Sequence, residues 1–364
     1  MARKLKSDKL LFLATLLLVL ASVVMVYSAS AVIALDRFHN PYLFLVKQAM
    51  WSALGLALLG VVMRVDYRTW KQPALIWSAL ALVGFALVAV LFMGKINGTR
   101  RWFGVGGFGI QPSELAKLAA IFFTAALLER RMHRINELKY ALAPIGLLVL
   151  VLFGLIILEP DFGTSMSLVL IAAVMVFAAG LNYRYIVGAA LCAIPPVAWL
   201  VMGTAYRRQR VLTFLDPWRD PLGAGFQVIQ SIIAVGTGGV WGRGLMNGVQ
   251  KLFFLPEPHT DFIYSVISAE LGLIGATAVL LCFALIAWRG LRVSLHAPDT
   301  FGALLALGLT TMVAVQALFN ISVALGLLPT KGIPLPFVSF GGSSLLINLL
   351  GMGILLNVSQ HTTA

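Results

Sequence analysis

The sequence predicts an all-α, polytopic membrane protein. It reads as a single domain over 1–364 with ten transmembrane helices, both termini cytoplasmic, and one large extracytoplasmic loop, 204–261, between helices 7 and 8. Three observations predict this. Of 364 residues, 60% are apolar and only 11% charged, at a mean hydropathy of +0.94. A soluble domain is about 45–50% apolar and about a quarter charged, so charge this sparse excludes a soluble enzyme of any class. Apolar runs recur along the whole chain; only helices satisfy their own backbone groups in lipid, and the alternating period of a membrane barrel is absent. Finally, outside the long loop Lys and Arg concentrate in alternate connections, which orients the helices.

The runs lie at 10–35, 43–63, 74–94, 114–128, 141–158, 164–181, 185–203, 262–288, 301–328 and 335–358. The first follows Arg3, Lys4, Lys6 and Lys9, and its Ser28-Ala29-Ser30-Ala31 imitates a signal-peptidase site. It is longer than the roughly 7–15 residues of a signal peptide's apolar core and reads as a retained signal anchor. With that end inside, fourteen of the 27 bases fall on the cytoplasmic side, and ten spans return the C-terminus there. Twelve fall outside, six of them in 204–261. A solvated loop face is one account of them; an electropositive outer surface that attracts an anionic ligand is the other. Topology thus explains half of the basic excess behind the net charge of +13, and the other half asks for a partner.

Cys192 and Cys282 both sit in apolar runs, so a disulfide framework is not expected. No internal repeat is visible, which disfavours many transporter folds. The run Gly236 to Gly244 lacks the G-x-G-x-x-G spacing and any flanking βαβ unit. Walker A, HExxH and Cys/His zinc patterns are missing too, so ATP-driven transport by this chain alone is not expected.

The densest polar cluster is Leu255-Pro-Glu257-Pro-His259-Thr260-Asp261-Phe262. In an extended strand Glu257, His259 and Asp261 share one face. Thr260 suits an N-cap, which makes Asp261 the first residue of the next helix. There the helix dipole favours ionisation, while Phe253, Phe254 and Phe262 oppose it by desolvation. Such a carboxylate is a candidate general base; the alternative is an acidic cap of purely structural value. Gln111-Pro112-Ser113-Glu114 opens the fourth helix, and Glu114 and Lys117 stand three apart, spaced to pair. Glu159-Pro160-Asp161 forms a short outer connection and Glu270 lies inside the eighth span, where ionisable groups are costly. Lys331, alone in the last outer loop, is placed to hold a phosphate or to snorkel to the interface. It precedes the glycine-interrupted run Ser339 to Ser344, which includes Ser343.

These residues carry a resemblance. GTRRWFGVGGFGIQPSELAK (98–117), EPDFGTS (159–165), YRRQRVLTFLDPWRDPLGAGFQVIQS (206–231), QKLFFLPEPHTDFIY (250–264) and LPTKGIPLPFVSFGGSS (328–344) are similar to the SEDS family of peptidoglycan polymerases, the group containing FtsW and RodA. MVYSAS (25–30) and the LPTKG stretch look more like its division-type branch. Met246 and Gly248 depart from the family's usual glycine and serine, and Phe253 from a glutamate of some division-type members.

The resemblance implies ten helices and polymerisation of lipid II, as donor and acceptor, into glycan strands at the outer face of the bacterial inner membrane. It implies Asp261 as the catalytic aspartate, and it singles out Lys331 and Glu114. Arg101, Arg208, Arg210, Lys251 and Lys331 are the expected pyrophosphate ligands, with Ser343 among the substrate-binding candidates. Glu257 and His259 are expected to orient Asp261 or to help bind a divalent cation, though no cofactor is demanded. The implied partners are a class B penicillin-binding protein, divisome or elongation-complex proteins and membrane lipid, with no nucleic acid. Two other readings stand beside the polymerase: a lipid II flippase or polyprenyl-lipid transporter, which predicts charge along a path through the membrane, and a non-enzymatic scaffold.

Overall fold

A computed structural model describes residues 7–94, 100–105, 108–203, 205–252 and 254–362. Arg3, Lys4, Lys6 and Phe253, named above, lie outside the described residues. The ten apolar runs fall on ten helices. These are α1 (Lys9–Phe38), α2 (Leu43–Val62), α3 (Pro73–Leu91), α4 (Pro112–Arg131), α5 (Ala143–Leu158), α6 (Phe162–Ala178), α7 (Tyr183–Met202), α10 (Ile263–Leu295), α11 (Thr300–Ala324) and α12 (Gly342–Ser359). Seven helices among the described residues are long and apolar enough to cross a bilayer. The long loop holds two more, α8 (Ala205–Leu215) and α9 (Phe226–Thr237). The all-α expectation is modified at one place, where β1 (Phe103–Val105) and β2 (Phe108–Ile110) pair antiparallel ahead of α4.

Local chemistry sets the helix ends. Asp8 Oδ1 accepts from Leu10 N and Leu11 N at the start of α1; Asp161, Asn182 and Asp299 cap α6, α7 and α11 in the same way. Proline occupies the first turn of α3, α4 and α5, where the missing N–H has no partner to lose. The last apolar run enters its helix late, because Pro336 and the left-handed Phe337 (φ 64°) hold 335–341 in a turn.

Burial grades from centre to rim. The apolar windows of α12 and α11 are 83% and 72% buried, against 22% for α3. Phe85, Phe92, Leu147 and Leu150 of α3, its C-cap and α5 are exposed, as apolar side chains facing lipid are. The expected cytoplasmic end is tied by polar contacts: Asp8 N donates to Ser359 Oγ (3.1 Å) and Arg289 pairs with Asp8 (2.6 Å). Tyr67 OH donates to Asp299 Oδ2, and Asn357 Oδ1 accepts from Tyr67 N.

α10 is broken at Gly272 (φ 65°, ψ −164°), and the segment after α9 repairs the break. Arg243 N and Gly244 N donate to the carbonyls of Ala269 and Glu270, while Leu273 N and Ile274 N donate to those of Gly239 and Val240. Irregular backbone at membrane depth survives only when protein satisfies it in this way. Gly242 is essential to the approach. It adopts φ +80°, and a Cβ there would stand 2.1 Å from the Glu270 carbonyl oxygen. Gly242→Ala should lower stability by about 1–3 kcal/mol or more, read as a fall in the unfolding temperature of the detergent-purified protein.

Candidate functional site

The expected N-cap at Thr260 is corrected. α10 begins at Ile263 with no side-chain cap, and 257–262 form a turn in which Asp261 N donates to Glu257 O (3.2 Å). Tertiary contacts override the local signal. Phe340 N donates to His259 O (2.9 Å), Ser339 Oγ to Thr260 O (2.5 Å), and Asn320 Nδ2 to Asp261 O and Ile333 O (both 2.8 Å). With these carbonyls claimed by α11 and the 325–341 connection, the segment cannot start a helix earlier. Nor is it a strand with three side chains on one face. Glu257 is exposed in a left-handed backbone (φ 49°), His259 is buried between Phe44 and Phe340, and Asp261 is half-buried.

Around Asp261 four connections converge. The β1 approach brings Arg101, the α5–α6 connection Glu159 and Asp161, α8 brings Arg210, and the α11–α12 connection brings Thr330, Lys331 and Gly332. The Asp261 carboxylate lies against the Gly332 backbone, where an added Cβ would stand 3.0 Å from Oδ2. Arg210 Nη1 donates to Thr330 O (2.9 Å), fixing α8 to the Lys331 loop. Lys331 Nζ lies 4.0 Å above the Phe162 ring, a cation–π seat that leaves its charge unneutralised. Arg101 Nη1 approaches Asp161 Oδ2 at 3.9 Å, and its buried Nε has no hydrogen-bond partner.

The electrostatics follow from burial. Desolvation lifts Asp261 to about 7, against the pull of Arg101 and Arg210 and with help from Glu257 and Asp161. Desolvation lowers Lys331 to about 8; Asp161 opposes the fall and Arg210 adds to it. Glu159 is fully buried with neither carboxyl oxygen hydrogen-bonded, and desolvation with the neighbouring Asp161 raises it to about 8. His259 is pushed down to about 4, by desolvation and then by Arg37, so its ring is neutral. The cluster therefore offers a carboxyl poised near neutrality beside Arg101 and Arg210, with Lys331 on the adjoining loop, which suits proton abstraction next to a stabilised anion.

The other expected site residues lie elsewhere. Arg208 is exposed on α8, while the cations that bear on Asp261 are Arg101 and Arg210. Lys251 is buried and paired with Glu270 (2.6 Å), turned into the protein rather than toward the cluster's solvent face. Glu114 pairs with Lys117 (2.9 Å) inside α4, as their spacing predicts. Ser343 Oγ accepts from Gln111 N (3.3 Å), joining α12 to the head of α4 behind the cluster. Among the described residues no group of three His, Cys, Asp or Glu is placed to hold a metal ion.

Asp161, expected only as part of a short outer connection, is a structural node. It accepts from Gln111 Nε2, Thr164 N and Thr164 Oγ1, and so ties the head of α4 to the start of α6 beside Arg101. The signal was present, because an aspartate just before a helix that starts Phe-Gly-Thr is an N-cap pattern.

The FtsW/RodA/SpoVE family model, described as "Cell cycle protein", matches residues 8–364. A "Probable peptidoglycan glycosyltransferase FtsW" of Geobacter sp. (strain M18) is 44% identical over 359 residues, covering 97% of each chain. "Stage V sporulation protein E" of Bacillus subtilis (strain 168) is 44% identical over 365 residues, covering 99% of each. Among solved structures, a chain described under "Structural coordination of polymerization and crosslinking by a peptidoglycan synthase complex" is 35% identical, with a TM-score of 0.79 over 97% of each chain. The rod shape determining protein RodA of Thermus thermophilus is 28% identical, with a TM-score of 0.72 over 98% of each chain.

Proposed function

The chain belongs to the FtsW/RodA/SpoVE family, and from that premise we propose that it is a peptidoglycan glycosyltransferase that polymerises lipid II. The carrying observation is the half-buried Asp261, held near neutrality, flanked by Arg101 and Arg210 and lying against the Gly332 backbone next to Lys331. In this reading ten helices span the inner membrane with both termini in the cytoplasm, and the cluster opens on the outer face. Asp261 takes the proton of the acceptor sugar's 4-hydroxyl as that oxygen attacks the donor's anomeric carbon. The bond to the polyprenyl pyrophosphate breaks from the opposite side, inverting the centre. The departing electron pair stays on the pyrophosphate, whose charge the three cations stabilise without a proton.

Buried charges deeper in the bundle are paired, Glu114 with Lys117 and Glu270 with Lys251. Among the described residues the reactive groups thus gather at one end instead of lining a path, which favours the polymerase over a lipid transporter. The similarity to a chain of a peptidoglycan synthase complex supports a class B penicillin-binding protein as partner, in a division or elongation assembly.

The deciding experiment gives labelled lipid II to the purified chain, alone and with such a partner, and resolves the products by gel. Glycan strands are expected; lipid II moved between vesicle leaflets with no strands formed would reverse the choice. The rate should follow a bell in pH. Below about 7 Asp261 gains a proton and ceases to be a base. Above about 8 Lys331 loses its charge and Glu159 gains one, so both changes make the site less cationic. His259, neutral from about 4 upward, adds no limb in this range.

A further inference from the structure

We propose that Glu270 and Lys251 are positioning residues. Their buried ion pair, clasped by Ser28, anchors the outer loop to α1 and α10 and thereby sets where Asp261 presents its carboxylate. The inference rests on the reading of Asp261 as the base. Lys251 Nζ meets Glu270 Oε1 at 2.6 Å and Ser28 Oγ at 2.9 Å. The Ser28 hydroxyl donates to the same carboxylate (2.6 Å to Oε2), as does Met246 N (3.1 Å). The side chains of Lys251 and Glu270 are 3% and 0% exposed, so a bound pyrophosphate does not reach this lysine without breaking the pair.

The pair closes the base of the chain segment that carries Asp261 near its middle, while Asn320 and Ser339 hold the tip. A second observation points to the same node. Met246 adopts φ 69°, a left-handed backbone that a side chain resists, and such a conformation persists only where its surroundings over-determine it. Here its N–H is fixed by Glu270. Two residues earlier, Gly244 N is bonded to the Glu270 carbonyl. One residue of α10 therefore holds the returning loop by backbone and side chain together. Removing either charge leaves the other buried without a counter-ion, which a folded interior does not tolerate unchanged.

The test measures glycan synthesis from labelled lipid II by the purified full chain, normalised to the monodisperse fraction. Glu270→Gln and Lys251→Met are expected to lose about tenfold to a hundredfold in kcat, the scale of a small misplacement of a catalytic group, with KM for lipid II within about twofold. Lys251→Arg, which keeps the pair, should recover most of the rate. Ser28→Ala, which keeps both charges, should show a smaller loss and guards against variants that fail to fold. Wild-type kcat in any folded member of Glu270→Gln, Lys251→Met or Ser28→Ala overturns the proposal. So does a raised KM with kcat intact, which would return Lys251 to substrate binding. Asp261→Asn is run beside them. Full activity in that variant removes the base assignment itself, whereas an inactive Asp261→Asn with a normal Glu270→Gln removes only the positioning role.

Discussion

Asp261→Asn is expected to cut glycan synthesis from lipid II by about 10²–10⁴-fold, the usual worth of a general base, while leaving the protein folded. Asparagine keeps the shape of the side chain. The contacts that hold the turn are made by backbone atoms and survive the change: Asn320 bonds the Asp261 carbonyl oxygen, and Ser339 that of Thr260. What disappears is a carboxyl that burial has set near 7, and an amide has no lone pair basic enough to replace it. The measurement is strand synthesis by gel, with size-exclusion elution and unfolding temperature confirming that the variant matches the parent.

Lys331→Met should follow at about 10²–10³-fold in kcat, the range seen when a preorganised stabiliser of transition-state charge is removed. Methionine fills the same seat against Phe162 and beside Gly163, whose added Cβ would lie 3.5 Å from the Lys331 stem. Packing is therefore largely kept, and the loss reports the charge. The check is a comparison of kcat with KM: a rise in KM alone would make Lys331 a ground-state anchor. A Lys331→Arg variant should recover part of the rate, since a guanidinium can still meet phosphate oxygens.

Much of the scaffold was readable because lipid imposes a simple code. A helix that crosses it needs an unbroken apolar run, and the ten runs fall on ten helices. α8 escaped that code, since its Arg207, Arg208 and Arg210 break any apolar run. α9, only 12 residues long, carries a short apolar run inside the long loop. The cluster was legible in part. Asp261, Arg101, Arg210 and Lys331 share an environment, and each had been singled out by charge and motif. The turn that presents Asp261 was not legible, because it is dictated by Asn320 and Ser339, which stand 59 and 79 residues away from their partners in the chain. Lys251 shows the limit most clearly. Its charge was visible, but the carboxylate that consumes it lies 19 residues on, inside α10.

The burial of α12 bears on the order of assembly. This helix, the most enclosed of the seven long apolar helices, is synthesised after the other eleven, and its neighbour α2 is among the first of them. While the ribosome is still at work, the earlier helices stand around a slot that only this late helix can fill. Asp8 waits likewise for Ser359, 351 residues downstream. The native bundle thus cannot close helix by helix as it enters the membrane. It closes in one late, long-range step, the kind that loop-closure entropy makes slow and that exposes incomplete surfaces to wrong partners.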